Sequence, residues 1–334
     1  MRRQRAVILR LVSGLLLLWP GAAQAAADTR PLASTQPCVS QQALKDHVYY
    51  LAQPVMKGRQ PRTIGSQRAR QYIMDCFEAC GLHPWAGQDS YELPFDEGTN
   101  VVAVLPGTDP RLRDKYILVT AHYDHLGIHE GKVYPGATDN ASGVAAVLEI
   151  ARQTSQQDPG PRRSMAFAAF DCEERGLLGA RAFSRRPDFQ RRSIAAVVNI
   201  DMLGHEPADE SGRIMLTLSP YNVPRIMRLL QQAAAREGIH LASMVPMGMG
   251  SDHAVFRDLH IPCLVFSCGV FADLHQPGDT PDKLNYLNMK HDVAVILAVV
   301  RTLADRPEAP TVGTRPAASR PAASQPGMAE PAPL

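Results

Sequence analysis

Apolar positions along this chain follow two rhythms. At 41–51, Leu44, Val48 and Leu51 recur at helical spacing. At 66–80, Ala69, Tyr72, Ile73, Cys76, Phe77 and Cys80 share one helical face, and Gly81 is a natural stop. Short apolar runs then predict strands at 100–105, 116–121, 164–170, 194–200, 214–218 and 263–266. Helical patterns lie between and after them, at 144–152, 177–184, 223–237 and 289–303. The stretch 56–65 is rich in Gly, Pro and Arg and reads as a loop. Such alternation predicts an α/β protein: a three-layer α/β/α sandwich with a mostly parallel central sheet, in a single domain.

The two ends break this pattern. Residues 1–25 carry Arg2, Arg3, Arg5 and Arg10, then a Leu-rich core through Trp19, then Ala23-Gln24-Ala25. That order predicts a cleaved secretory signal and a periplasmic or secreted protein. The apolar core stops at Pro20, too short for a membrane span, and no cysteine follows it to carry a lipid. A linker is expected at 26–37, the folded domain at 38–306, and a disordered Pro/Ala-rich tail at 307–334, where TRPAASRPAASQP has no apolar period. Losing the four arginines lowers the formal charge of +2 to −2. A near-neutral chain gives no electrostatic case for nucleic-acid or membrane binding. The six cysteines, Cys38, Cys76, Cys80, Cys172, Cys263 and Cys268, form no CxxC zinc pattern. Export would let them oxidise in pairings the sequence does not define, while the spacing of Cys76 and Cys80 equally suits buried apolar positions.

The candidate chemistry gathers after the strands. The run 116–121 is followed at once by His122 and Asp124. Asp139 lies in the small-residue turn GATDNASG that opens the next helix. Glu173 and Glu174 follow the strand at 164–170, Asp201 ends the one at 194–200, and His275 comes after the one at 263–266. Ligands in α/β sheets sit at such strand ends. Singly, each residue has a plain structural reading: acids favour helix starts, and an Asp after a strand can cap a turn. Together they are imidazoles and carboxylates without thiolates, a donor set suited to two zinc ions with open positions. Zinc acidifies a bound water, and a neighbouring carboxylate can take its proton.

HYDHLG, GATDNASG, EERGLLGA, NIDMLGH, SDHAVF and HQPGDTPDKLNY, in this order, resemble the co-catalytic zinc exopeptidase family of bacterial leucyl aminopeptidases, glutamate carboxypeptidases and glutaminyl cyclases. The resemblance spans roughly 44–303 and includes the early MKGRQPRTIGS loop. It implies that Asp139 bridges two zinc ions per chain. His122 and Asp201 would complete one site, and Glu174 and His275 the other. Glu173 would be the general base and Asp124 the carboxylate that orients His122. The implied substrates are peptides.

One departure is a missing tyrosine near the last ligand. Between Cys268 and His275 the chain offers Phe271. His125, His129, His205 and His253 also lie near the motifs without an assigned role, and His253 is read equally as support for the site or as a plain helix start. The chain's small size leans towards an aminopeptidase over the carboxypeptidase branch. A glutaminyl cyclase with one zinc is the alternative. Against it, RGLLGA follows Glu174 where cyclases tend to place a Trp, and the two tryptophans, Trp19 and Trp85, are far from the motifs. A non-catalytic binding domain is a third reading, weakened by the complete ligand set.

Overall fold

The computed structural model describes residues 38–205, 213–218, 224–243 and 250–308. The expected signal at 1–25, the linker at 26–37 and the tail beyond 308 lie outside the described residues. Two helices open the domain. Helix α1 (Gln41–Leu51) is capped by the Ser40 hydroxyl, which accepts from the Ala43 N–H at 3.1 Å. Helix α2 (Ile64–Ala79) starts two residues before the apolar pattern predicts, because Thr63 caps it. Strands β1 (His83–Pro84), β2 (Glu92–Phe95), β3 (Gly98–Leu105) and β4 (Tyr116–His122) follow. A small hairpin, β5 (Gly127–His129) and β6 (Lys132–Tyr134), precedes α3 (Gly143–Ser155). Then come β7 (Ser164–Phe170), α4 (Leu178–Ser184), β8 (Ile194–Ile200), β9 (Arg213–Leu218), α5 (Pro224–Arg236), β10 (His240–Ser243), α6 (His253–Asp258), β11 (Cys263–Ser267) and α7 (Tyr286–Asp305).

The sheet order is β1-β3-β7-β4-β8-β11-β9-β10, with β2 also on β3. The four central strands, β7, β4, β8 and β11, run parallel, and antiparallel pairs enter only at the flanks, β3 on β7 and β9 on β11. Side chains alternate across the sheet. Val101, Ile117, Val119, Met165, Phe167 and Val198 pack into one core with α1, α2, α3, α5 and α7. Val102, Leu118, Ala166, Ala168 and Val197 pack into the other, with α4 and α6. Both faces are covered, so the central strands read as unbroken apolar runs.

This order positions the site. The chain passes from β4 to β7 on one side and later returns to β8 on the other, so β4 is a switch point whose carboxyl end opens a crevice. His122 is the last residue of β4. The sequence missed β1, β2, β10, α6 and the β5–β6 hairpin; none exceeds six residues, too few for a periodic signal. The loop at 56–65 contains a short 3₁₀ turn, Pro54–Arg59. It delivers Arg59 into the interior, where the side chain is fully buried. Arg59 Nε donates to the Tyr123 carbonyl at 2.8 Å, Nη1 to Leu51 and Pro135 at 2.9 and 2.7 Å, and Nη2 to Gly136 at 2.8 Å. Burial lowers its pKa to about 10, which leaves it charged. Replacing Arg59 by Met removes the charge and strips four carbonyls of donors. Chemical denaturation should show a loss on the order of 3 kcal/mol; an unchanged midpoint would mean that water replaces the guanidinium without penalty.

Candidate metal centre

Every site residue read from the sequence sits at the carboxyl edge of β7, β4, β8 and β11, in two donor sets that meet at Asp139. His122 Nε2 lies 3.3 Å from Asp139 Oδ1 and 3.3 Å from Asp201 Oδ1. His275 Nε2 lies 3.0 Å from Asp139 Oδ2 and 3.2 Å from Glu174 Oε2. The two oxygens of Asp139 thus face different partners. His122 is buried, while His275 is half-exposed, so the crevice opens on the His275 side.

The two 3.3 Å spacings at His122 exceed the usual hydrogen-bond range, while those at His275 fall within it. All four match the edge of a tetrahedron around zinc: bonds of about 2.0 Å place neighbouring N and O donors about 3.3 Å apart. Geometry and donor chemistry therefore fit two zinc ions that share Asp139. His122, Asp139 and Asp201 would hold one, and Asp139, Glu174 and His275 the other. Among the described residues two compact donor groups share Asp139: His122, Asp139 and Asp201, which matches the first set, and His125, Asp139 and Glu174, in which His125 stands where the second set has His275.

Backbone contacts explain the placement of Asp139. Asp279 accepts the Thr138 N–H at 2.9 Å and the Asp139 N–H at 3.0 Å. Asn140 Oδ1 accepts from Gly143 and Met202, and its Nδ2 donates to the Ile200 carbonyl at 3.0 Å. Ser142 Oγ accepts from the Leu203 N–H at 2.8 Å. These bonds stitch the Asp139 loop to the end of β8, where Asp201 sits. Gly136 has φ +57°, and a Cβ there would lie 2.2 Å from the Asp139 carbonyl.

Asp124 has two jobs. His122 Nδ1 lies 3.2 Å from the Asp124 carbonyl and 3.6 Å from its carboxylate, which leaves Nε2 for the crevice. The Asp124 carboxylate also accepts the Glu173 N–H at 2.9 Å and the Glu174 N–H at 3.4 Å. That second job sets the two glutamates on their strand end and was invisible in the sequence. Asp279, Asn140 and His125 were missed too. The quoted motifs contain all three, yet their partners are up to 141 residues away. His253 opens α6, and burial together with Arg257 lowers it to about 4; its Nδ1 is buried without a hydrogen-bond partner among the described residues. Asp252 beside it is buried, with neither oxygen partnered.

A model of peptidase family M28 matches residues 100–311. The chain belongs to peptidase family M28. Over 130 residues it is 38% identical to a probable zinc metalloprotease of Pyrenophora teres f. teres, a match covering 37% of this chain and 26% of that protein. The chain thus spans about a quarter of that relative's length. The LapA aminopeptidase of Legionella pneumophila shares the fold with a TM-score of 0.68 at 19% identity, over 81% of this chain and 73% of that one. The glutaminyl cyclase of Porphyromonas gingivalis shares it with a TM-score of 0.64 at 20% identity, over 78% and 98%. The M28 chain is thus an enzyme of a zinc metallopeptidase family, with two candidate metal positions that share Asp139.

Charge is crowded at this edge. Burial opposes charge on His122, but Glu173, Asp124, Asp139 and Asp201 outweigh it and raise its pKa well above the ordinary value. Burial would raise Glu174 as well, but hydrogen bonds from His125 and His275 hold it at about 2. Hydrogen bonds to Asp139 and Glu174 lift His275 to about 10. Burial pushes Glu173 up to about 9 against the pull of His122, helped by Asp201, Asp252 and Glu174. Burial likewise raises Asp252 to about 8.

These shifts give the metal-free protein a definite pH profile. Buried acids with raised pKa values take stability away as pH rises, Glu173 between 4.5 and about 9 and Asp252 between 3.8 and about 8. His275 contributes fully below 6.5 and loses its contribution as pH climbs through about 10. Glu174 contributes above 4.5 and loses its share as pH falls through about 2. The melting temperature of chelator-stripped protein should therefore peak near about pH 5 and fall towards about pH 9, with a flatter curve once zinc is restored. A stripped protein equally stable at both pH values would contradict this charge arrangement.

Proposed function

We propose that the protein is a secreted or periplasmic aminopeptidase that hydrolyses the N-terminal bond of peptides with two zinc ions. The observation that carries this reading is the set of tetrahedral-edge spacings on both sides of Asp139. Zinc, when bound, polarises a scissile carbonyl and acidifies a water. The chain's own groups do the rest. Glu173 is held by the Asp124 carboxylate at its backbone N–H and is mostly buried. Two dications beside it would favour its ionised form, and that carboxylate would take a proton from water and deliver it to the leaving amine nitrogen. Asp139, Glu174 and Asp201 offset most of the positive charge of two dications. The half-exposed His275 side gives the peptide its entry.

Trp85 argues for hydrolysis over cyclisation. It is buried against Tyr116 and Phe183, with ring centroids 5.3 and 5.2 Å away. This indole is a core side chain on the face that α4 and α6 cover, not part of the crevice lining. It cannot wall a glutamine pocket there, and Trp19 lies outside the described residues.

Two measurements test the proposal. Glu173→Gln should keep zinc and fold while hydrolysis of an aminoacyl chromogenic amide falls about 10²–10⁴-fold; near-normal turnover would remove Glu173 from the base role. Metal analysis should find two zinc per chain. Asp139→Ala should weaken both together, and His122→Ala should mainly empty one. Full activity at a single zinc, with ammonia released from a Gln-initiated peptide, would instead favour the cyclase.

A further inference from the structure

His125 has no role in the proposal above. Its side chain is fully buried. Nδ1 lies 2.8 Å from Glu174 Oε1 and 3.9 Å from Asp139 Oδ2, while Nε2 has no hydrogen-bond partner. The ring stands edge-on to His275, with centroids 5.9 Å apart.

The distance to Asp139, 3.9 Å from His125 against 3.0 Å from His275, separates the two histidines. Pairs that can share a metal are spaced at 3.0–3.3 Å in this crevice. His125 and Glu174 sit at hydrogen-bond length, and His125 stands too far from Asp139 to share an edge with it. Glu174 can only accept in that contact, so Nδ1 carries the hydrogen. Nε2, the other ring nitrogen, is buried and unpartnered. The other tautomer would set two lone pairs against each other at 2.8 Å and strand a buried donor.

The ring is also held in place. A Cβ on Gly136 would lie 2.5 Å from His125 Cδ2, so only glycine leaves room for it. The Gly136 carbonyl is pinned in turn by Arg59.

We propose that His125 is a positioning residue for Glu174. Its Nδ1–H occupies Oε1 and leaves Oε2 as the oxygen presented beside His275. Glu174 then binds metal through one oxygen only, and a coordination place stays open for substrate. This inference rests on the two-metal reading of the site.

The test compares two amides of the same chemistry. Asn at 125 places an N–H donor where Nδ1 lies; Gln places it further out, near Nε2. Zinc competition titrations on wild type, His125→Asn and His125→Gln should give one weakened site in His125→Gln, by about 10–100-fold. His125→Asn should stay within about threefold of wild type, since it keeps the donor. With cobalt as the probe, the visible spectrum should shift in His125→Gln and stay in His125→Asn. Equal losses in both variants would make His125 a ligand or a mere packing element, and no loss in either would make the contact idle; each result overturns the proposal. A wild-type chain holding a single zinc would overturn the two-metal reading. The His125 assignment is still read from the variant-to-wild-type ratio at the zinc held by Glu174.

Discussion

Asp139 is the constraint on which the rest of the crevice depends. One short carboxylate must face two donor sets, His122 with Asp201 on one oxygen and His275 with Glu174 on the other. It has little freedom to do so unless its backbone is fixed, and the surroundings fix it from several directions. Asp279 takes its N–H, Asn140 and Ser142 bind its loop to the end of β8, and Arg59 holds the carbonyls of Pro135 and Gly136 before it. Burial opposes its charge, but His122 and His275 prevail, and the carboxylate stays ionised far below the ordinary range. The same loop therefore supplies both a geometry and a charge that two dications require.

Parallel pairing at the centre of the sheet makes this convergence possible. In β7, β4, β8 and β11 the chain runs the same way, so the residues that follow each strand emerge along one edge. An antiparallel partner would send its following residues to the opposite edge. The flanking strands β3 and β9 do pair antiparallel, and neither carries a site residue. The position of β4 between β7 and β8 puts His122 at the point where the connections diverge, and the crevice forms there.

What the sequence disclosed follows from this layout. Central strands buried on both faces leave uninterrupted apolar runs, so β7 and β8 were legible to the residue. Their ends were then legible too, and with them Glu173, Glu174 and Asp201. The α2 and α7 starts were misplaced by two or three residues because polar caps, Thr63 and Asn285, set them rather than apolar spacing. The supporting residues were harder. Asp279 acts on a backbone 140 residues away, and the Asp124 carboxylate acts on amides 49 and 50 residues on. No local pattern encodes a contact of that span. Gly136 and His125 each looked ordinary alone; their meaning lies in the space one vacates for the other.

The two donor sets are unequal in depth, and that inequality gives the crevice a direction. His122 and Asp124 are buried beneath the sheet edge, with Asp201 only slightly exposed beside them. On the other side His275 is half-open to solvent, while Glu174 below it is tied down by His125. The buried set forms a floor and the half-open set a rim. A molecule entering from solvent meets the rim before the floor. Glu173 is carried on the same strand end as Glu174, and the Asp124 carboxylate holds the backbone of both. Burial at that strand end keeps Glu173 largely out of bulk water and raises its proton affinity until a cation beside it favours the ionised form.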